Sequence, residues 1–135
     1  MKTHVDHQII VPLKNQPGQL AKLCRLLAER SINIEAISAI EGVEHGVVRL
    51  ITSDQGKCTQ MLAENGFCVI EGDVLVIELT DKIGALARLS SALAEAEINI
   101  DYLYGSVGQA GMPTRVILKA TDLANTRAKI ESLRD

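Results

Sequence analysis

Two hydrophobic periodicities alternate along the chain, and each of them occurs twice. Residues 8–13 and 74–79 are short runs rich in β-branched residues, a composition typical of strands. Each run is followed by leucines at i, i+3 and i+7: Leu20, Leu23 and Leu27, then Leu86, Leu89 and Leu93. Because this spacing places side chains on one face of a helix, the pattern predicts a strand followed by a helix with a buried leucine stripe, at two places in the chain.

The two places are copies of one segment. Residues 15–35 and 81–101 align without a gap at a shift of 66 positions, and they are identical at ten of 21 positions. Such self-similarity indicates a repeated structural unit. In both copies a second strand begins at the sequence Ile-Asn-Ile and ends near Ile40 or Val107. Third strands are predicted near 47–52 and 115–120.

Each copy continues with a second helix. Asp54 and Asp122 are suited to cap these helices, because a carboxylate accepts hydrogen bonds from unpaired backbone N–H groups. In the first copy Gly66 ends the helix, and Phe67–Ile70 is predicted to be a fourth strand. The order β-α-β-β-α-β predicts an α+β fold with two ferredoxin-like units, each an antiparallel sheet with helices on one face. We assign residues 1–72 to the first unit and 73–135 to the second.

The second copy reaches Asp135 without residues for a fourth strand. A missing strand would leave an open sheet edge, and unpaired edges promote association. We therefore expect either a homodimer or a Phe67–Ile70 strand that both copies share.

Composition narrows the possible functions. The 135 residues carry a formal net charge of −3 and 2% aromatic residues, so the chain lacks the basic surface and stacking platforms of nucleic-acid-binding proteins. No apolar run approaches the roughly 18 residues of a membrane span. Three scattered cysteines indicate reduced thiols and a cytoplasmic location: Cys24, Cys58 and Cys68. The sequence shows no catalytic, metal-binding or cofactor-binding pattern, so we expect no enzyme activity and no cofactor.

The motif Asn15-x-Pro-Gly-x-Leu, followed by Ile-Asn-Ile at 32–34, resembles the ACT domain family of small regulatory modules that bind amino acids. The second copy repeats the motif, with Asp81 at the first position and Ile83 in place of the proline. The resemblance covers essentially the whole chain as two tandem copies without a catalytic domain. It implies a regulatory protein that senses a free amino acid.

The residues themselves point to chemistry at the helix starts. Unpaired N–H groups and the positive end of the helix dipole favour an anion, and Gly18 and Gly84 let a ligand approach the backbone closely. We therefore expect the carboxylate of an amino acid on the N–H groups that follow Gly18, Gly84 or both. The candidate ligand-binding residues are Asn15, Gln16, Gly18, Gln19, Leu20, Asn33 and Ile34 in the first copy, and Asp81, Lys82, Gly84, Ala85, Leu86, Asn99 and Ile100 in the second.

Structural roles stay open for several of these residues. Asn15 and Asp81 can act as helix N-caps, while Asn33 and Asn99 can serve the helix-to-strand turn, where asparagine tolerates left-handed backbone angles. An alternative function also stays open: an ACT-like dimerisation or interaction protein, or a regulatory subunit of an amino-acid biosynthetic enzyme, with vestigial pockets. In either case we expect no partnership with nucleic acid or membranes.

Overall fold

The computed structural model describes residues 1–40, 45–79, 83–106 and 113–134 of the chain. The strands are β1 (Lys2–Lys14), β2 (Ile34–Ile40), β3 (His45–Thr52), β4 (Ile70–Leu79), β5 (Ile100–Gly105) and β6 (Thr114–Ala120). The helices are α1 (Gln19–Glu29), α2 (Gln55–Glu64), α3 (Ala85–Glu95) and α4 (Leu123–Glu131). This order confirms the predicted α+β class with its repeated strand–helix–strand–strand–helix pattern.

The chain forms two compact units that do not coincide with its two halves. The N unit is His7–Gly72, and the C unit combines Met1–Asp6 with Asp73–Asp135. As a result, β1 and β4 each contribute residues to both units. The repeat predicts a first unit of residues 1–72, whereas the structure groups residues 1–6 with the second copy.

In the N unit, the strand order is β2-β3-β1-β4. Strand β3 pairs antiparallel with β1, from Ile9 opposite Leu50 to Lys14 opposite His45, and Ile40 of β2 lies opposite Val47. Side chains from β1, β3, α1, α2 and the segment between α1 and β2 form one buried core: Ile9, Val11, Leu13, Leu23, Leu27, Ile32, Val48, Leu50, Cys58, Met61 and Leu62. The alternate residues of β1 in this core show the period of two expected for a strand with one face against helices.

In the C unit, the strand order is β5-β6-β4-β1, with Lys2–Asp6 as the contribution of β1. The core is built in the same way from Leu75, Ile77, Leu79, Leu89, Leu93, Val116, Leu118, Ala120 and Ile130. The position beside β4 is that of the fourth strand in a ferredoxin-like unit. The start of the chain thus occupies the edge that we expected to be open, and that edge no longer argues for a homodimer.

Polar contacts attach the first residues of the chain to α4. The ammonium group of Met1 donates a hydrogen bond to the carbonyl oxygen of Leu133 at 2.8 Å. The Thr3 hydroxyl donates to a Glu131 carboxylate oxygen at 2.7 Å, and Arg127 Nε lies 3.0 Å from the same oxygen. These contacts hold the pKa of Glu131 below its ordinary value. The hydrogen bond from Thr3 is the larger cause, and the hydrogen bond from Arg127 is the next.

Helix ends follow from local chemistry. The Asp54 and Asp122 carboxylates accept hydrogen bonds from backbone N–H groups three residues later, at 3.1 and 3.0 Å, which confirms both predicted N-caps. At the end of α2, the N–H of Gly66 bonds to Ala63 at 3.2 Å and the N–H of Phe67 bonds to Leu62 at 3.0 Å, the pattern of a Schellman motif. This motif uses the N–H of Phe67, so Phe67 cannot donate it to a neighbouring strand. Strand β4 begins at Ile70, and the predicted strand start at Phe67 is wrong.

Candidate functional site

Both copies begin their first helix with a glycine in a left-handed conformation. Gly18 has φ 87° and Gly84 has φ 90°, and each is the N-cap residue of its helix without a side-chain capping hydrogen bond. A side chain at such φ values is strained, and the space where a Cβ of Gly18 would lie is open to 4 Å. The predicted helix starts are confirmed, and Asn15 is not the N-cap of α1.

In the described part of the chain, no capping side chain accepts a hydrogen bond from the first N–H groups of α1. The N–H of Gln19 makes only a long bond of 3.4 Å to the carbonyl of Gln16, and the first helical bond runs from Lys22 to Gly18 at 2.9 Å. The N–H groups of Leu20 and Ala21 lie between these two bonds, within the first turn. They are therefore positioned to receive an anion, as expected at a helix N-terminus.

A groove of about 250 Å³ lies beside this helix start in the N unit. Its lining residues are Leu13, Lys14, Asn15, Gln16, Gln19, Leu20, Ala39, Ile40, Gly46, Val47 and Val48. They come from the end of β1, the first turn of α1, the end of β2 and the start of β3, which the strand register brings to one end of the sheet. Four of the predicted site residues thus lie together here: Asn15, Gln16, Gln19 and Leu20.

The wall formed by β2 and β3 was not anticipated from the sequence. Ala39, Ile40 and Gly46–Val48 contribute this wall, because Ile40 pairs with Val47 and Ala39 with Val48. The alternation of hydrophobic residues predicted both strands but not which of their ends would meet the start of α1. The strand order that the predicted ferredoxin-like fold implies was the signal that could have identified this end of the sheet.

Asn33 lies at the other end of the sheet of the N unit. Its N–H donates to Ser53 Oγ at 3.0 Å, and its carbonyl accepts the N–H of Ser53 at 3.0 Å. The neighbouring Ile34 pairs with Thr52, whereas Lys14 pairs with His45. Seven residue steps along β3 therefore separate the two ends, about 23 Å at the rise of a strand. The N unit does not bring Asn33 and Ile34 to the groove.

The left-handed positions between helix and strand are not asparagines. Ser31 has φ 55° and Glu97 has φ 57°, so these residues make the turns after α1 and α3. The expectation that Asn33 and Asn99 supply left-handed backbone is therefore wrong. Asn99 is exposed, and its side-chain Nδ2 donates to Asp101 Oδ1 at 3.2 Å.

In the C unit, only part of the predicted site falls on described residues. Gly84, Ala85 and Leu86 form the start of α3, and the first helical bond runs from Arg88 to Gly84 at 2.9 Å. Asp81 and Lys82 lie outside the described residues. Ile100 pairs with Ala120, while Gly105 at the other end of β5 pairs with Val116. Asn99 and Ile100 thus lie at one end of β5, as Asn33 and Ile34 do at one end of β2.

The first leucine of each stripe is not buried as predicted. Leu20 is 41% exposed and Leu86 is 44% exposed, whereas the leucines at the later stripe positions are buried. Both residues lie in the first turn of their helices, before the helix reaches the core. For Leu20, the exposed side chain lines the groove.

A second cavity, of about 450 Å³, lies in the C unit and is lined by Met1, Lys2, Thr3, His4, Glu78 and Glu131. No group of three or more histidine, cysteine or acidic side chains that could hold a metal ion occurs among the described residues. Burial raises the pKa of the Cys58 thiol, which is typical of an inert core cysteine. The rings of Tyr102 and Tyr104 stack with their centroids 6.4 Å apart, and so contact each other. None of the described helices is long and apolar enough to cross a membrane.

Comparison with known structures supports the same architecture. A protein from Bacteroides thetaiotaomicron is 26% identical, with a TM-score of 0.87 over 96% of this chain and 88% of that one. The ligand-free regulatory subunit of aspartate kinase from Thermus thermophilus is 19% identical, with a TM-score of 0.67 over 99% and 98%. That from Thermus flavus is 20% identical, with a TM-score of 0.61 over 96% and 92%. Because the two Thermus proteins are only 19% and 20% identical to this chain, their likeness shows a shared fold and nothing further.

The sequence also matches a family model. Among curated proteins, none matches this sequence significantly. The model described as "ACT domain pair" matches residues 4–131, nearly the whole chain. That span contains both repeated motifs and both glycine-initiated helices. The chain therefore belongs to the ACT domain pair family.

Proposed function

We propose that this protein is a regulatory module that binds a free amino acid at the groove of the N unit and has no catalytic activity of its own. The observation that carries the proposal is the uncapped start of α1 beside a groove of about 250 Å³. Membership of the ACT domain pair family supports a regulatory role. The free thiols of Cys24, Cys58 and Cys68 fit the cytoplasmic location that we expect.

An α-amino acid matches the groups around the helix start. Its carboxylate would accept hydrogen bonds from the N–H groups of Leu20 and Ala21, where the helix dipole adds a favourable field. The exposed Lys14 adds a positive charge at the same side of the groove. The ammonium group of the bound amino acid would donate to side-chain amide oxygens, which Gln16 and Gln19 supply.

Binding can be tested with a charge placed on the first turn. Gln19→Glu puts a carboxylate beside the N–H groups, which stabilises the free helix by about 0.3–1 kcal/mol but repels a bound carboxylate. We expect Gln19→Glu to abolish binding while its melting temperature without ligand stays equal or rises. Ala85→Glu makes the same change at the start of α3 and is the matched control, which should retain binding at the groove.

The measurement is a thermal-shift screen of the twenty amino acids, followed by calorimetry on any that bind. A ligand at 100 times its dissociation constant stabilises the folded state by about 2.7 kcal/mol. Absence of a shift with all twenty would contradict the proposal. Equal binding by Gln19→Glu and the parent would contradict the assigned site.

A second candidate is an interaction protein, such as the regulatory subunit of an amino-acid biosynthetic enzyme. Ile83 is fully exposed, and Leu86 near it in the first turn of α3 is 44% exposed, so the start of α3 presents an apolar surface of the kind that contacts proteins. We also retain a homodimer as a prediction, now through the terminal strands of the unit sheets, β2 and β5. Sedimentation as a monomer at high micromolar concentration would contradict the dimer.

A further inference from the structure

Two exposed hydrophobic side chains line the groove of the N unit. Leu20 is 41% exposed and Ile40 is 56% exposed, although most large hydrophobic side chains of this unit are in the core. Single exposed hydrophobic residues are ordinary on protein surfaces. Here, however, both belong to one concave site, together with Leu13, Val47 and Val48. A ligand that covers them would remove apolar surface from water.

The polar side chains of the groove are confined to one part of its lining. Lys14, Asn15, Gln16 and Gln19, the polar lining residues, all come from the end of β1 and the start of α1. The described lining residues of β2 and β3, which are Ala39, Ile40 and Gly46–Val48, carry no polar side chain. The groove therefore matches a molecule with a charged end and an apolar end.

Size and charge restrict that molecule further. A groove of about 250 Å³ is smaller than the roughly 300–1,000 Å³ of sites for drug-sized ligands, so it suits a single amino acid better than a nucleotide. With the amino and carboxyl groups at the start of α1, the side chain of the ligand lies against β2 and β3. A charged side chain would lose its hydration there without a partner among the described lining residues.

We infer that the groove of the N unit selects a free amino acid with an aliphatic side chain over polar and charged ones. This inference rests on the proposed function. The recognising groups are the uncapped N–H groups of α1 for the carboxylate, and Leu20, Ile40 and Val47 for the side chain.

Calorimetry with leucine, isoleucine, valine and methionine against threonine, lysine, aspartate and glycine tests the selectivity. We expect an aliphatic amino acid to bind at least about tenfold tighter than any of the others, since one methylene in an apolar pocket changes affinity by about 10- to 200-fold. Tightest binding of a charged or polar amino acid would overturn this inference and leave the proposed function standing. No binding by any amino acid would overturn both.

Variants of the apolar wall locate the selectivity. Leu20→Ser should weaken binding of the aliphatic ligand at least about tenfold. Leu86→Ser is the matched control at the same position of α3, and it should bind as the parent does. Ile40→Thr keeps a β-branched residue in β2 and should also weaken binding, so the test does not depend on one variant. Undiminished aliphatic preference in both groove variants, or an equal loss in Leu86→Ser, would overturn the inference.

Discussion

Removing residues Met1–Asp6 should unfold part of the C unit. The segment supplies the strand beside β4. Because alternate residues of a strand bond to one neighbour, five residues make about two or three backbone hydrogen bonds, each contributing about 0.5–1.5 kcal/mol. The half-buried Met1 side chain packs against the core of the C unit and adds about 1 kcal/mol. The loss is therefore about 2–5.5 kcal/mol, a large part of the roughly 5–15 kcal/mol by which a domain is stable.

Hydrogen exchange measures this loss locally. Amides of β4 and α4 in the C unit should exchange faster in the truncated protein, while those of β3 and α1 in the N unit should change much less. A rescue variant moves residues 1–6 to follow residue 135 through a short glycine-serine linker. This is feasible because the Met1 ammonium lies 2.8 Å from the Leu133 carbonyl oxygen. Unchanged protection of β4 after truncation, or failure of the rescue, would refute the assignment of this segment to the C unit.

Three further predictions concern caps and titrating groups. Asp54→Ala and Asp122→Ala should each lower the free energy of unfolding by about 1 kcal/mol in urea titrations, because each removes a side-chain cap; a loss in only one would contradict equal roles. The pKa of Glu131 is lower in the folded state, so its stabilising contribution is complete above the unfolded pKa and is lost as pH falls through the folded pKa. Glu131→Gln should therefore flatten the acid side of a plot of melting temperature against pH, and an unaltered plot would contradict this. Burial raises the pKa of the Cys58 thiol, so iodoacetamide should modify the exposed Cys68 much faster; similar rates would contradict a buried Cys58.

Local chemistry made most elements predictable from sequence. The Asp54 cap depends on a bond spanning three residues, and the glycine start of α1 depends on one backbone angle, so both are encoded within a few positions. The stripe that ends in Leu23 and Leu27 predicted the buried face of α1 correctly. Its first member, Leu20, failed because periodicity identifies a helix face but not how far the core extends along it.

Long-range pairing was not predictable in the same way. Residues 2–6 read Lys-Thr-His-Val-Asp, with one apolar position, so no hydrophobic alternation marks them as a strand. Their partners in α4 lie up to 128 residues away, between Thr3 and Glu131. For the site, the repeat located Asn15 and Gln19 near the groove. It also grouped Asn33 with them. Motifs that are close in sequence can lie at opposite ends of a strand, and the sequence does not show this distance.

The division of β1 between two units has a consequence for protein synthesis. All other residues of the N unit have been translated once residue 72 leaves the ribosome, so residues 7–14 can then pair within that unit. Thr3 can form its hydrogen bond only after Glu131 has been translated. At about 5–20 residues per second, the 128 residues between Thr3 and Glu131 take about 6–25 s to translate. During that time the nascent chain exposes an unpaired strand end, which is a template for association with neighbouring chains. Residues 2–6 are thus translated long before the α4 residues that they contact, and they reach their place in the C unit only after those residues are made.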